Sequence, residues 1–170
     1  MATGLTCKSR CGACCLKKDI ETTVAEFLPL AWHLFLNGKA DDMYSKLLLN
    51  DQDICLLYNP LATDNFAGGC SEYEHRGLIC RLFAFSSNKD RNGVSQLVCC
   101  QIIKRDAASN YEEAAKWVKE GKKAPSMSAC YTKLNNISAG YGSRMMPINQ
   151  AIKQAIEQVL FANQWRRIRA

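Results

Sequence analysis

Residues that interrupt regular structure are scarce in this sequence. Its 170 residues include only four prolines and ten glycines, whereas 48% of the residues are apolar. Fibrous repeats and disordered polymers are rich in proline, glycine or charge and poor in apolar residues, so this composition excludes both classes. The length suffices for one domain with a real core and is short for two. We therefore predict a single domain over residues 1–170.

Long hydrophobic stretches are missing as well. The longest apolar run, residues 27–36, has ten residues and contains His33, whereas a helix needs about 20 residues to cross a bilayer. Residues 1–10 contain no apolar stretch of the kind that a secretion signal requires. The sequence therefore predicts a soluble, cytoplasmic protein without a membrane partner.

Familiar catalytic signatures are also absent. Catalytic triads, phosphate-binding loops and paired carboxylates have no convincing candidates in the sequence. Gly140-Tyr141-Gly142 is a weak match to a glycine-rich nucleotide-binding turn, and no obvious strand precedes it. Whether the protein is an enzyme therefore stays open at this stage.

The excess of positive charge is confined to the carboxyl-terminal part. Residues 1–103 carry ten Lys or Arg against eleven Asp or Glu, whereas residues 104–170 carry twelve against five, a balance of +7. We therefore treat residues 101–170 as a helical, basic part that has nucleic acid or an acidic protein as candidate partners. A solvated helix face explains the same charge, since no aromatic residues are interleaved as in an RNA-binding surface.

What the sequence does contain is cysteine, ten residues in all. In a reducing cytosol ordinary disulfides stay open, so a dense cysteine cluster is better explained by metal binding. Thiolates are the ligands of zinc sites and iron–sulfur clusters. Four of the ten lie within nine residues, as Cys7-x3-Cys11-x2-Cys14-Cys15, and Cys55, Cys70 and Cys80 follow.

The number of cysteines bears on the kind of centre. A single tetrahedral zinc uses about four ligands, so seven or eight thiolates favour a cluster, such as [4Fe–4S], or a two-metal site, although zinc stays open. Cys14 and Cys15 are adjacent, and adjacent side chains point apart unless the backbone bends. One of them is therefore expected to ligate, while the other binds a neighbouring metal or packs.

Apolar periodicity predicts a mostly helical fold. Capping boxes, in which the side chains of two residues three apart satisfy the first backbone N–H groups of a helix, occur at Thr23-x-x-Glu26 and Ser109-x-x-Glu112. One helix is predicted from Thr23 to Gly38, and another from Ser109 to Gly121. Two more are predicted, one over residues 41–50 and one that starts at Pro147 and carries a long apolar stripe.

A small hairpin is predicted between the helices. Residues 54–58 form a short apolar run that predicts a strand, and residues 70–73 return antiparallel to it, which brings Cys55 and Cys70 together. A short helix over residues 74–83 then presents Cys80, and residues 97–103 are either a strand or the start of a helix. The predicted class is α+β, mostly helical, with a short β-hairpin, organised around a cysteine-ligated metal centre.

The cysteines and their neighbours form a longer pattern. It consists of Cys7-x3-Cys11-Gly12-Ala13-Cys14-Cys15, then Cys55-Leu56-Leu57, then Cys70-x2-Tyr73-x2-Arg76-x3-Cys80-Arg81-x-Phe83. This pattern resembles the YkgJ-type cysteine-cluster family, also called CxxCxxCC or zinc- or iron-chelating domains, which includes relatives of flagellin lysine methylases. The resemblance covers roughly residues 7–100. Gly77 stands where the family usually has proline, which predicts a looser turn before Cys80.

The resemblance implies a set of about eight cysteine ligands. Arg76 and Arg81 are candidates for contact with the cofactor, because an arginine beside a thiolate centre offsets its charge and donates hydrogen bonds to sulfur. Arg76 alternatively pairs with a nearby carboxylate such as Glu72 or Glu74. The implied ligands are Cys7, Cys11, Cys14, Cys15, Cys55, Cys70, Cys80, and Cys99 or Cys100.

The two histidines receive different interpretations. His33 lies inside an apolar helix pattern and is interpreted as a core or boundary residue. His75 is nearer to the cysteines in the sequence and is a further candidate ligand.

Three functions follow from these patterns. The first is a metal-binding protein that holds an iron–sulfur cluster or zinc through its cysteines. The second is an enzyme related to S-adenosylmethionine-dependent lysine methyltransferases, as the flagellin methylase relatives imply. A radical S-adenosylmethionine enzyme shares the spacing of the first three cysteines, but the chain is too short for the usual barrel. The third is a binding module with a purely structural metal and a basic partner-binding surface.

Overall fold

The computed structural model describes residues 4–7, 11–61, 68–122 and 124–167. Helix predominates in these residues, and the strands pair into two-stranded antiparallel sheets, so the predicted α+β, mostly helical class is confirmed. No helix in these ranges is long and apolar enough to cross a bilayer. The elements are β1 (Glu21–Thr22), α1 (Val24–Leu36), α2 (Ala40–Leu49), β2 (Tyr58–Asn59), β3 (Gly69–Cys70), a 3-10 turn (Tyr73–His75), α3 (Leu78–Phe85), β4 (Ser86–Lys89), β5 (Ser95–Val98), α4 (Gln101–Asp106), α5 (Ala108–Lys119), α6 (Met127–Ile137), α7 (Ala139–Gly142), β6 (Met146–Pro147) and α8 (Ile148–Arg167).

The chain forms two compact units. The α1–α8 unit contains residues 10–77 and 135–170, and the α3–α5 unit contains residues 1–9 and 78–134. Each unit is therefore assembled from two separate stretches of sequence. The prediction of a single domain over residues 1–170 stays a prediction.

Helices α1 and α8 pack against each other at the centre of the α1–α8 unit, and α2 packs on both. The capping box predicted at the start of α1 is present, and the Glu26 carboxylate accepts a hydrogen bond of 3.0 Å from the Thr23 N–H. Helix α8 begins at Ile148, one residue later than predicted, because Pro147 belongs to β6. The apolar stripe of α8 faces α1, and its buried members are Ile148, Ala151, Ile152, Ala155, Ile156 and Val159.

The starts of α1 and α8 are joined by a short sheet. In the β1–β6 pair, Thr22 lies opposite Met146, and the Ile148 N–H donates to the Ile20 carbonyl at 3.0 Å. Only Thr23 separates β1 from α1, and β6 directly precedes α8. The sheet therefore fixes the relative position of the amino-terminal ends of the two main helices.

The predicted hairpin exists, but its first strand is much shorter than predicted. Strand β2 contains only Tyr58 and Asn59, and Tyr58 pairs with Cys70 of β3. The prediction of a strand over residues 54–57 is wrong, because Cys55 accepts a turn hydrogen bond from the Tyr58 N–H at 3.0 Å. Residues 73–75, part of which was predicted as strand, form the 3-10 turn instead.

The α3–α5 unit is built around a hairpin that the sequence did not predict. Strands β4 and β5 pair antiparallel from Ser86 opposite Val98 to Lys89 opposite Ser95. Helix α5 and α3 both pack on β5. Residues 97–103 were predicted as either a strand or the start of a helix. They contain both, since β5 ends at Val98 and α4 begins at Gln101.

Helix α5 ends as predicted but begins differently. Gly121 has a φ of +85°, the left-handed conformation that ends a helix. The capping box predicted at Ser109 is wrong, because α5 already begins at Ala108 and its cap has no side-chain hydrogen bond. The Ser109 hydroxyl lies 3.4 Å from the Asn110 side-chain oxygen instead.

The α1–α8 core gives a direct test of the fold. Ile156 is fully buried in α8, whereas Ile137 is 83% exposed. We expect Ile156→Ala to lower the free energy of unfolding by about 2–5 kcal/mol, because it removes buried methyl groups and leaves a cavity. The matched change Ile137→Ala is expected to stay within about 0.5 kcal/mol. Urea unfolding of both variants measures the difference, and equal effects would contradict this packing.

Candidate metal centre

Three buried cysteines of the α1–α8 unit lie together. Cys15, Cys55 and Cys70 are between 3% and 8% exposed, and the Cys15 thiol is hydrogen-bonded to both of the others. Cys55 precedes β2 and Cys70 belongs to β3, so the short hairpin brings them close, as predicted. The structure thus assembles three thiols from segments that are 40 and 15 residues apart.

The pKa values show how these thiols interact. The hydrogen bond to Cys55, together with burial, raises the pKa of Cys15 from 9.0 to about 12, against the opposing effect of the bond from Cys70. The hydrogen bond to Cys15 and burial raise the pKa of Cys70 far above its usual range. These directions describe a chain in which Cys70 donates to Cys15 and Cys15 donates to Cys55. In the metal-free chain Cys15 and Cys70 therefore keep their protons.

The segment that carries Cys15 bends into a turn. The Cys15 N–H donates to the Gly12 carbonyl at 2.9 Å, and the Lys17 N–H donates to the Cys14 carbonyl at 3.2 Å. Such a bend is what two adjacent cysteines need if both are to approach one site. Cys14 is half-buried, and its negative charge is one of the causes that raise the Cys15 pKa. Cys11 is half-buried in the same segment.

Gly12 permits the turn to lie against the hairpin. A Cβ atom at this position would be 2.7 Å from the Tyr58 ring, a distance that real Cβ atoms essentially never show, and 3.1 Å from the Gly69 Cα atom, which is tighter than most real contacts. The absence of a side chain thus lets the cysteine segment approach both strands closely. This gives a physical reason for glycine after Cys11 in this chain.

Asn149 of α8 holds the loop that carries Cys55. Its side-chain oxygen accepts a hydrogen bond from the Leu56 N–H at 2.9 Å. Its side-chain nitrogen donates to the Ile54 carbonyl at 2.8 Å and to the Gln52 carbonyl at 3.2 Å. The Cys55 N–H itself donates to the Cys15 carbonyl at 3.1 Å. Sequence reasoning missed Asn149, because nothing local distinguishes it from any polar residue in the first turn of a helix.

The other predicted ligands belong to the α3–α5 unit. Cys99 is buried with Leu5, Ile103 and Ala114, and Cys7 and Cys100 are partly buried against this cluster. Burial and the charge of Cys100 raise the pKa of Cys99. Cys80 is half-buried in α3. Within this unit Cys7 and Cys100 therefore pack against the same apolar cluster, of which Cys99 is a member.

The two candidate arginines differ in their surroundings. Arg76 is half-buried, and its guanidinium carbon lies 4.0 Å from the centre of the Tyr73 ring, in a cation–π contact. Arg81 is exposed on α3. Tyr73 and Arg76 of the sequence motif thus contact each other directly.

The structure explains why this chain has Gly77 where the family usually has proline. A Cβ atom there would lie 2.8 Å from the ring of Phe27, which is 1% exposed, and 3.2 Å from the Glu26 carboxylate. A proline ring at this position would need still more space. The chain after the 3-10 turn therefore lies close against the first turn of α1.

The role of Asn149 is open to a direct test. We expect Asn149→Ala to lower the free energy of unfolding by about 1–3 kcal/mol, because it leaves partly buried backbone groups of the Cys55 loop without a partner. We also expect faster loss of bound zinc or iron to a chelator. Gln150→Ala, an exposed amide on the same turn, is the matched control. Equal unfolding and equal metal loss in the two variants would contradict the assigned role.

The comparisons with known proteins agree with this chemistry. The chain matches the family model CxxCxxCC, described as a "putative zinc- or iron-chelating domain", over residues 6–124. A search of curated proteins and a search of solved structures each gave no significant match. The chain has the two-residue gap of the family's name between Cys11 and Cys14 but three residues between Cys7 and Cys11. Because the match spans more than half of the sequence, the chain belongs to the CxxCxxCC family of zinc- or iron-chelating domains.

Proposed function

We propose that the protein holds a zinc ion or an iron–sulfur cluster through cysteine thiolates, with Cys15, Cys55 and Cys70 as ligands. The observation that carries this proposal is the burial of these three thiols in mutual hydrogen bonds. Three thiolates in such a space repel one another unless a positive charge neutralises them. In the metal-free chain protons neutralise the thiolate charge, and a metal ion bound by sulfur neutralises it in the same way.

The remaining cysteines of the motif enter the proposal by their place in the sequence. Cys11 and Cys14 lie in the same turn region as Cys15 and are further candidate ligands. Cys7, Cys80, Cys99 and Cys100 are proposed from the family motif. A zinc ion bound in this way supplies folding free energy, whereas a cluster supplies a redox centre.

The arginines are proposed as residues that moderate the charge of the centre. Arg76 follows Cys70 by six residues, and its stacking on Tyr73 restricts the position of its guanidinium. A fixed positive charge near several thiolates lowers the cost of assembling them. Arg81 is proposed for the same role from the motif that it shares with Cys80.

The other two functions gain no specific support. The family description names chelation of zinc or iron and does not mention methyl transfer. The described residues of the basic carboxyl-terminal part likewise show no feature that selects nucleic acid or an acidic protein. We therefore propose neither of these functions.

Metal analysis of matched cysteine variants tests the proposal. Protein purified without oxygen is expected to contain zinc, or iron with sulfide and the broad visible absorption of a cluster. Cys15→Ser, Cys55→Ser and Cys70→Ser should each lose most of this metal and lower the melting temperature, because about 10 kcal/mol or more of binding free energy is available to folding. Cys130→Ser is the control, since Cys130 lies on α6 outside the motif.

Two outcomes would contradict the proposal. One is a protein that contains neither zinc nor iron in stoichiometric amount. The other is full retention of metal in all three serine variants. Zinc without sulfide or visible absorption would select the zinc centre, and iron with sulfide would select the cluster.

The raised thiol pKa also predicts how the metal-free protein responds to alkali. In the unfolded chain Cys15 loses its proton near pH 9.0, whereas in the folded chain it keeps the proton up to about pH 12. The stability that this difference supplies is present below about pH 9 and declines as the pH rises toward 12. Urea unfolding of reduced, metal-free protein should therefore show a steeper alkaline loss of stability than Cys15→Ser does. If the stability of the two proteins fell equally with rising pH, the hydrogen bonds assigned to the buried Cys15 thiol would be contradicted.

A further inference from the structure

Both histidines of the protein, His33 and His75, lie close to the Glu72 carboxylate in the α1–α8 unit. The His33 and His75 rings are stacked, with their centres 3.9 Å apart and their planes at 23°. His75 Nδ1 lies 3.8 Å from Glu72 Oε2. One donor atom from each of the three side chains lies within 4.8 Å of the other two. All three residues are half-buried.

The fold holds these residues together from two sides. His33 lies in the last turn of α1, and the 3-10 turn that ends at His75 packs against α1. Glu72 immediately precedes this turn, and the His75 N–H donates to the Glu72 carbonyl at 3.0 Å. Gly77 permits the close approach of the following chain to Phe27 of α1. The cluster is therefore built on a helix and a turn that are both fixed by the core.

The chemistry of the cluster is that of a cation site. Two imidazole rings and a carboxylate offer nitrogen and oxygen lone pairs, which are ligands of divalent transition-metal ions. Asn37 lies beside His33, with its side-chain nitrogen 3.4 Å from Nδ1 and hydrogen-bonded to the His33 carbonyl at 2.8 Å.

We propose that His33, Glu72 and His75 form a second metal site, distinct from the cysteine thiolates, for Zn²⁺ or a similar first-row divalent ion. Imidazole and carboxylate ligands suit such ions better than Ca²⁺ or Mg²⁺. Zinc binds imidazole nitrogen at about 2.0–2.1 Å, which places tetrahedral ligands about 3.3 Å apart. The three donor atoms lie within 4.8 Å of one another, so binding requires the stacked rings to turn until the lone pairs in their planes point to one ion. Two histidines and one carboxylate leave a further coordination position open for water or a ligand.

The sequence makes this site unusually easy to observe. The chain contains only two histidines, so every imidazole signal belongs to the proposed site. Protein labelled with ¹⁵N-histidine, and carrying its thiolate-bound metal as purified, is titrated with Zn²⁺. We expect the nitrogen resonances of both rings to shift together and to saturate at one additional equivalent of zinc.

Matched glutamate variants then test the third ligand. Glu72→Gln should weaken zinc binding by more than about 100-fold, since loss of an outer-shell partner alone costs about 10- to 100-fold. Glu21→Gln makes the same chemical change at an exposed residue of β1 and should bind zinc like the parent protein. His33→Gln and His75→Gln should each abolish the shift of the remaining ring, with folding checked by circular dichroism.

Several results would overturn the second site. Imidazole resonances that do not move on addition of zinc would show that the stacked pair and its carboxylate have a structural role alone. Equal zinc affinity of Glu72→Gln and Glu21→Gln would exclude Glu72 as a ligand, and shifts that never saturate would indicate nonspecific binding. The test is separate from that of the thiolate centre, because the ¹⁵N label is carried by the two histidines alone.

Discussion

The packing of α1 against α8 positions both candidate sites of the α1–α8 unit. Helix α1 carries His33, and the first turn of α8 carries Asn149, which holds the Cys55 loop. Leu30, Ala155 and Ile156 are fully buried. Close-packed interiors do not deform gradually, so a shift of either helix would move a segment that bears candidate ligands. Residues in loops thus obtain fixed positions from a rigid helical scaffold.

The parts of the fold that were predictable depend on local signals. The capping box at Thr23 and the apolar stripe of α8 repeat at helical spacing, so the sequence alone located both helices. The hairpin at β4 and β5 was missed because its strands have no strong apolar alternation, although Asn92-Gly93 lies in the turn between them. The capping box at Ser109 failed because a matching spacing does not require a helix to begin there.

The candidate centre was predictable in its chemistry and only partly in its construction. Cysteine spacing indicated metal, and the hairpin between Cys55 and Cys70 followed from their flanking residues. The turn at Cys55 was not predictable, because its backbone partner is a side chain 93 residues away along the chain. The proximity of His33 to His75 likewise arises from tertiary packing, which no local pattern records.

The dependence of the Cys55 loop on Asn149 also bears on where the metal-binding domain ends. The family match stops at residue 124, so it includes every cysteine of the motif but neither Asn149 nor any of α8. During synthesis, all ten cysteines are likewise made before the residue that orders this loop. A domain boundary drawn at the end of the match would divide the α1–α8 unit and separate the Cys55 loop from its backbone partner. The residues of the family match and the residues of the α1–α8 unit therefore overlap only in part.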